Sequence, residues 1–138
     1  MDIQQTINYC LSLDYNSLEQ FASKNYQKLY DYLKTKLQTE KVNAVLDGSI
    51  FTFASADGKL TDEEVKFINK FVGIYSSQSL IKVTIEYSKA DAQETVTRLC
   101  NFLNVEMKEA FINLCIAVFA VDKNVDLCED FLLCLINQ

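Results

Sequence analysis

The scarcity of turn-forming residues is the strongest constraint on the fold of this chain. Its 138 residues contain no proline and only three glycines, Gly48, Gly58 and Gly73. Sheets built from many short strands need frequent tight turns, and glycine and proline supply most of them. The sequence therefore disfavours an all-β fold and favours helices.

Apolar residues recur at helical spacing along most of the chain. The segments predicted to be helical are residues 2–13, 18–37, 42–56, 61–72, 91–103, 105–120 and 126–136. The second segment leaves open a break near residues 23–25. Residues 105–120 are apolar nearly all round, which is typical of a helix at the centre of a domain. We predict an all-α fold, a compact bundle of about seven helices that forms a single domain over residues 1–138.

Residues 76–87 are the ambiguous stretch of the sequence. Val83, Ile85 and Tyr87 alternate with polar neighbours, as they would in a strand. No second strand candidate is present to pair with them, and a lone strand is unstable. We therefore expect a short helix there.

Two acidic turns indicate an internal repeat. Residues 56–64 align with residues 121–129 at an offset of 65, which pairs Asp57 with Asp122 and Glu64 with Glu129. Because a single helical hairpin cannot bury its apolar face, we predict two pseudo-symmetric helical-hairpin repeats packed into one bundle. The residues predicted to be buried in the two hairpins are Ile50, Phe53, Ile68, Cys115, Val118 and Leu133.

The acidic residues of these turns have two interpretations. In the first, Thr61 with Glu64, and Asp126 with Glu129, form capping boxes that satisfy backbone amides at the start of the next helix. In the second, the carboxylates bind a divalent cation such as Ca²⁺ or Mg²⁺. The candidate metal ligands are Asp57, Asp62, Glu63, Glu64, Asp122, Asp126 and Glu129. A standard EF-hand loop is disfavoured, because its first ligand position would fall on Phe53.

Residue types that are missing from the chain exclude several classes of function. There is no histidine, so triad hydrolases, papain-like proteases and most catalytic zinc sites are ruled out. The net charge of −6 has the wrong sign for binding a nucleic-acid backbone. No nucleophile and base are brought together by any motif, so we predict that the protein is not an enzyme.

Cysteine usage and hydropathy indicate a cytoplasmic protein. The five cysteines are odd in number and contain no CxxC pair, so we expect buried, reduced thiols rather than a disulfide framework. No apolar run is long enough to cross a bilayer, and the first residues do not have the pattern of a signal peptide. We therefore expect a cytoplasmic location and no membrane insertion.

The first acidic turn, Phe53-Ala-Ser-Ala-Asp-Gly-Lys-Leu-Thr-Asp-Glu-Glu64, is followed after about 65 residues by a second, Phe119-Ala-Val-Asp122, with Glu129 beyond it. This pattern resembles the tellurite-resistance TerB-like family over residues 42–138. Residues 1–41 are N-terminal helices outside the resemblance. It implies an all-helical domain with related halves, a role in tellurite and stress resistance, and divalent-metal binding by Asp57, Glu64, Asp122 and Glu129. In the second motif Lys123 replaces the family's glycine, and its charge disfavours a cation there.

Two functions from different classes therefore stand as expectations. The first is a non-catalytic accessory or protein-interaction module of the TerB-like type, with a protein partner or a homodimer. The alternative is a weak divalent-metal-binding or metal-responsive module that uses the acidic turns. Exposure of Tyr9, Tyr15 or Tyr32 would favour the first, because tyrosine is common at protein interfaces.

Overall fold

The computed structural model describes residues 3–54, 61–72 and 97–121, and within these it does not describe the side chains of residues 39, 40, 43, 44 and 51–54. The described helices are α1 (Ile3–Ser12), α2 (Tyr15–Lys34), α3 (Thr39–Ala54), α4 (Asp62–Val72) and α5 (Val105–Ala120). A helical turn at residues 97–100 precedes α5, and the described part of the chain contains no strand. The all-α prediction is confirmed.

Local hydrogen bonds set where α2 and α5 begin. Asp14 lies before α2 in an extended conformation, and its Oδ1 accepts a 2.7 Å hydrogen bond from the Ser17 amide. This bond lowers the pKa of Asp14. Asn104 caps α5 in the same way, with Oδ1 2.8 Å from the Met107 amide. Both caps satisfy an amide that the first helical turn would otherwise leave without a partner.

Helix α2 runs without a break through residues 23–25, where the sequence left one open. Asn25 is buried there, and its Nδ2 donates to the carbonyl oxygen of Phe21, one turn earlier. The side chain therefore satisfies its donor on its own helix, and α2 can continue with a polar residue inside the core.

Helices α2 and α5 form the centre of the described structure. They make the most extensive contact of any pair, and α1, α3 and α4 each pack against α5. Eleven consecutive or near-consecutive residues of α5 are buried, including Phe111, Leu114 and Ile116. This confirms that residues 105–120 form the central helix, since only a helix covered on all sides can be apolar all round.

Aromatic rings fill the boundary between α2 and α4. Tyr15 meets Phe67 at 5.8 Å between ring centroids, and Phe67 meets Phe71 at 5.8 Å. Phe71 lies 5.4 Å from Tyr26, which stacks on Tyr30 at 6.0 Å. The five rings form a continuous row, and such pairs add to the stabilisation that burial alone provides.

The burial predictions are confirmed wherever the structure describes the residues. Ile50, Ile68, Cys115 and Val118 are all buried, whereas Phe53 and Leu133 lie outside the described side chains. The helix predicted for residues 76–87, the second acidic turn and the last predicted helix also lie outside the described residues. The two-repeat architecture and the number of seven helices stay predictions.

The three described cysteines behave as the sequence predicts. Cys10, Cys100 and Cys115 are buried free thiols, while Cys128 and Cys134 lie outside the described residues. Burial raises the pKa of the Cys10 thiol to about 12 and also raises the pKa of Cys100. These thiols are therefore protonated at neutral pH and act as small apolar side chains. No helix among the described residues has the length and apolar character needed to cross a membrane.

Candidate functional site

The start of α4 is a complete capping box. The Glu64 amide donates to the hydroxyl oxygen of Thr61 at 3.1 Å, and the Thr61 amide donates to Glu64 Oε1 at 3.2 Å. The Thr61 hydroxyl also lies 3.0 Å from the same Glu64 oxygen. These are the two reciprocal bonds that the Thr-x-x-Glu pattern predicts. The capping interpretation of Thr61 and Glu64 is confirmed.

The three consecutive acidic residues of this turn differ in solvent exposure. Glu64 is only 2% exposed, whereas the neighbouring Asp62 and Glu63 are exposed to solvent. The other candidate ligands, Asp57, Asp122, Asp126 and Glu129, lie outside the described residues. Within the described ranges, no group of three or more acids or cysteines has a geometry suited to a metal ion. Capping accounts for Glu64 without a metal, and metal binding by the remaining acids stays a prediction.

A small open groove lies where α1 meets α2 and α5. It has a volume of about 210 Å³ and is lined by Gln5, Thr6 and Tyr9 of α1, with Phe21 of α2 and Asn113 of α5. Tyr9 meets Phe21 edge to face at 5.5 Å between ring centroids. The ring of Tyr9 is therefore held against the bundle on one side and forms the groove wall on the other.

Tyrosine exposure differs sharply among the N-terminal helices. Tyr9 is 52% exposed and Tyr15 is 38% exposed, while Tyr26 is buried and Tyr32 is only partly exposed. The Tyr15 ring is covered in part by Lys70, whose Nζ lies 4.8 Å from the ring centroid. Tyr9 is consequently the most exposed aromatic residue in the described part of the chain, and it borders the groove.

A pair of amide side chains lies under the groove and joins α2 to α5. Asn113 Nδ2 donates to Asn25 Oδ1 at 3.3 Å. Asn113 Oδ1 has no hydrogen-bond donor among the described residues, although the atom is buried. Buried polar groups without a partner are uncommon in folded proteins. The pair links the two central helices at the point where the groove opens.

Asp47 is a buried carboxyl group that was not among the site residues predicted from the sequence. It is fully buried on α3, and the Tyr26 hydroxyl donates to its Oδ1 at 2.7 Å. Its Oδ2 has no donor among the described residues. Burial raises the pKa of Asp47 to about 7, against the smaller lowering effect of the Tyr26 hydrogen bond. The sequence contains one indication that Asp47 is buried, because it lies between Leu46 and Ile50, two predicted core residues of the same helix.

No match was found when the chain was compared with protein-family models, curated proteins and solved structures. The resemblance to the TerB-like family, and the function that it implies, stay predictions.

Proposed function

We propose that this protein is a non-catalytic protein-interaction module of the TerB-like type, and that its binding surface is the exposed side of α1 with the adjoining groove. The observation that carries the proposal is the half-exposed Tyr9 at the edge of a groove lined by both polar and aromatic side chains. Tyrosine is enriched at protein interfaces because it offers a large, rigid contact area with a hydrogen-bonding end.

The composition of α1 supports the same surface. Its exposed residues are Gln4, Gln5, Asn8, Tyr9 and Ser12, and the helix contains no charged residue. The centres of protein interfaces are depleted in charged residues, because burying a charge costs more than burying an amide or a hydroxyl. Helices selected only for solubility usually carry charges on the face that contacts water.

The groove is also of a size that suits a side chain. Small-molecule sites occupy roughly 300 to 1,000 Å³, whereas this groove has a volume of about 210 Å³. A single side chain from a partner protein would fill it. Side chains of this kind, anchored in a pocket at the middle of an interface, commonly provide most of the binding energy.

Site-specific photo-crosslinking in cells tests this function. A photoreactive benzoyl-phenylalanine replaces Tyr9, which tolerates the change because half of its surface is exposed. The matched control places the same residue at Lys24, which is exposed on α2. We expect a discrete protein adduct from position 9 that position 24 does not give. The absence of any adduct from position 9, or the same adducts from both positions, would contradict the proposal.

Weak binding of Ca²⁺ or Mg²⁺ at the acidic turns is the alternative function. It rests on the exposed Asp62 and Glu63 and on acids outside the described residues, Asp57 among them. A ligand that binds only the folded state raises the melting temperature increasingly as its concentration exceeds Kd. If the site exists, millimolar Ca²⁺ or Mg²⁺ raises the melting temperature. The Asp57→Asn/Glu64→Gln variant loses this effect, while a glutamine at position 64 keeps the capping box.

A further inference from the structure

We infer that the groove beside α1 receives a basic side chain, an arginine or a lysine from a positively charged segment of the partner protein. This inference rests on the proposed function, since it names the chemistry of the partner that binds the same surface. Three observations support it: the half-exposed ring of Tyr9, the absence of basic residues from the groove lining, and the carboxylate of Glu109 on α5.

The ring of Tyr9 differs from the rings of the other described tyrosines. Tyr15, Tyr30 and Tyr32 each have a lysine ammonium group of the same chain over the ring, at 4.8, 5.3 and 5.8 Å from the centroid. Tyr26 is buried in the core. Tyr9 borders the groove, and no lysine or arginine among the described residues lies over its ring. Because the face of an aromatic ring attracts cations, this groove wall offers a cation site that the described chain leaves to a partner.

Basic residues are absent from the part of the sequence that forms most of the groove. The first 23 residues contain no lysine or arginine, and they include Gln5, Tyr9 and Phe21 of the groove lining. A cation that enters the groove therefore meets no like charge from this part of the chain. The net charge of −6 also attracts positively charged segments toward the protein at long range. Both effects favour a basic partner over an acidic one.

Glu109 supplies a carboxylate on the α5 side of the groove. It is exposed and lies four residues before Asn113, which lines the groove. Residues four apart on a helix share a face, with Cβ atoms about 5–6 Å apart. Burial raises the pKa of the Cys100 thiol and the charge of Lys108 partly opposes this rise, which places Lys108 near Cys100, before the start of α5. A cation held against Tyr9 can therefore pair with Glu109.

Arginine fits this combination of groups well. Its guanidinium group is planar, so it can lie flat on the ring of Tyr9 while its N–H groups point outward to acceptors. The amide of Gln5 and the carboxylate of Glu109 provide acceptors of this kind. Tyrosine and arginine are also the residue types that most often dominate the binding energy of protein interfaces. Arginine is therefore the side chain of choice for a probe.

An NMR titration of the isotope-labelled full chain tests the inference with two peptides that differ only in charge. The probe is a glycine–serine peptide of about ten residues that contains two arginines. The control peptide has citrulline, the uncharged analogue, in place of each arginine. We expect the arginine peptide to shift the amide resonances of α1 and the side-chain amide of Asn113. Its Kd should be at least about tenfold lower than that of the citrulline peptide.

Variants of the chain test whether the peptide binds in the groove. Tyr9→Leu removes the ring and should raise the Kd of the arginine peptide at least about fivefold, whereas Tyr9→Phe keeps it and should leave Kd within about twofold. Glu109→Gln removes the adjoining carboxylate and should raise Kd about three- to fivefold. The matched control is Asp31→Asn, an exposed site on α2 about 15 Å along the helix from Phe21, which should leave Kd within about twofold.

The outcomes separate this inference from the proposed function. The basic partner is overturned if the arginine peptide does not bind, if the citrulline peptide binds as tightly, or if Asp31→Asn weakens binding as much as Glu109→Gln. Resonance shifts that lie mainly outside α1 and α5 would overturn it as well. If position 9 then still crosslinks to a protein in cells, the interaction function stands with a partner of different chemistry. If position 9 gives no adduct, the proposed function fails and this inference fails with it.

Discussion

Glu64 and Asp47 are both buried carboxyl groups, 2% and 0% exposed, but their hydrogen-bond partners come from different parts of the fold. Glu64 lies in the first turn of α4 and accepts hydrogen bonds from Thr61, three residues earlier. Asp47 lies in the middle of α3 and accepts its bond from Tyr26, which is 21 residues away on another helix. One group has a partner supplied by the local chain, and the other depends on the packing of two helices.

The cost of burying a carboxyl group depends on whether its hydrogen-bond partner lies nearby in the chain or on another helix. A glutamate at the third position of a helix is also favoured by the partial positive charge of the helix N-terminus. Asp47 has no such help, because it lies in the interior of α3 and not in a first helical turn. Burial of a charge without compensation is unfavourable, so the pKa of Asp47 rises to about 7.

Of the substitutions considered, Asp47→Asn should have the largest effect on the free energy of unfolding. Because its pKa is about 7 in the folded state and near 3.8 when unfolded, the unfolded state releases this proton first as the pH rises. Stability therefore falls between about pH 4 and pH 7 by up to roughly 4 kcal/mol, and the loss is complete above the folded pKa. Asp47→Asn should abolish this loss, measured as the free energy of unfolding in urea across that pH range.

The control for that experiment is Asp31→Asn, which removes one negative charge from the exposed face of α2. Its stability should follow the wild-type pH dependence. If the Asp47→Asn and Asp31→Asn curves are parallel, Asp47 does not titrate with a raised pKa, and the contrast with Glu64 is lost.

Tyr26→Phe removes the hydroxyl that donates to Asp47 and keeps the aromatic ring, so it tests how far Asp47 depends on this distant partner. The change leaves Asp47 Oδ1 without its Tyr26 hydrogen bond, which should cost about 1–3 kcal/mol at pH 5. It should also extend the fall in stability to higher pH, because the Tyr26 bond lowers the folded-state pKa of Asp47. Tyr30→Phe, on the ring stacked against Tyr26, is the matched control and should change unfolding by no more than about 0.5 kcal/mol.

The local partnership of Glu64 predicts a smaller effect. Thr61→Ala removes the hydroxyl that accepts the Glu64 amide, so urea unfolding should show a loss of about 1 kcal/mol. Thr61→Ser keeps the hydroxyl and should retain most of the stability. A loss of the same size in both variants would show that the methyl group, rather than the cap, stabilises this turn.

The smallest predicted change lies beside Asp47. Gly48 is in the interior of α3, and a methyl group added there would have no atom within 4 Å apart from its chain neighbours and the backbone of its own helix. Gly48→Ala should therefore stabilise the protein by about 0.5–1 kcal/mol, because alanine loses less backbone freedom in a helix than glycine does. Thermal unfolding measures the gain. A loss instead would mean that α3 must adjust at Asp47 in a way that the regular helix does not show.

The features that could be predicted from the sequence depend on residues close together in the chain, and the features that could not depend on contacts between helices. The helix over residues 105–120 was predicted at its observed ends, because its apolar character is a local signal. The capping box at Thr61 was one of the two interpretations of the acidic turn for the same reason, since its residues are three positions apart. The groove could not be predicted, because it brings together Tyr9, Phe21 and Asn113 from three helices. The row of aromatic rings at the boundary between α2 and α4 could not be predicted either, because it depends on contacts between separate helices.

The sequence by itself determined that the chain is helical, that residues 105–120 form a largely buried helix, and that Thr61 and Glu64 have the spacing of a capping box. Each depends on residues within a few positions of one another, where helical geometry fixes which groups can meet. Only the tertiary structure decided that Asp47 pairs with Tyr26, that Asn25 pairs with Asn113, and that Tyr9 is left at the surface beside a groove. These outcomes depend on how helices pack, and helix packing selects among several crossing arrangements that the periodicity of a single helix does not distinguish.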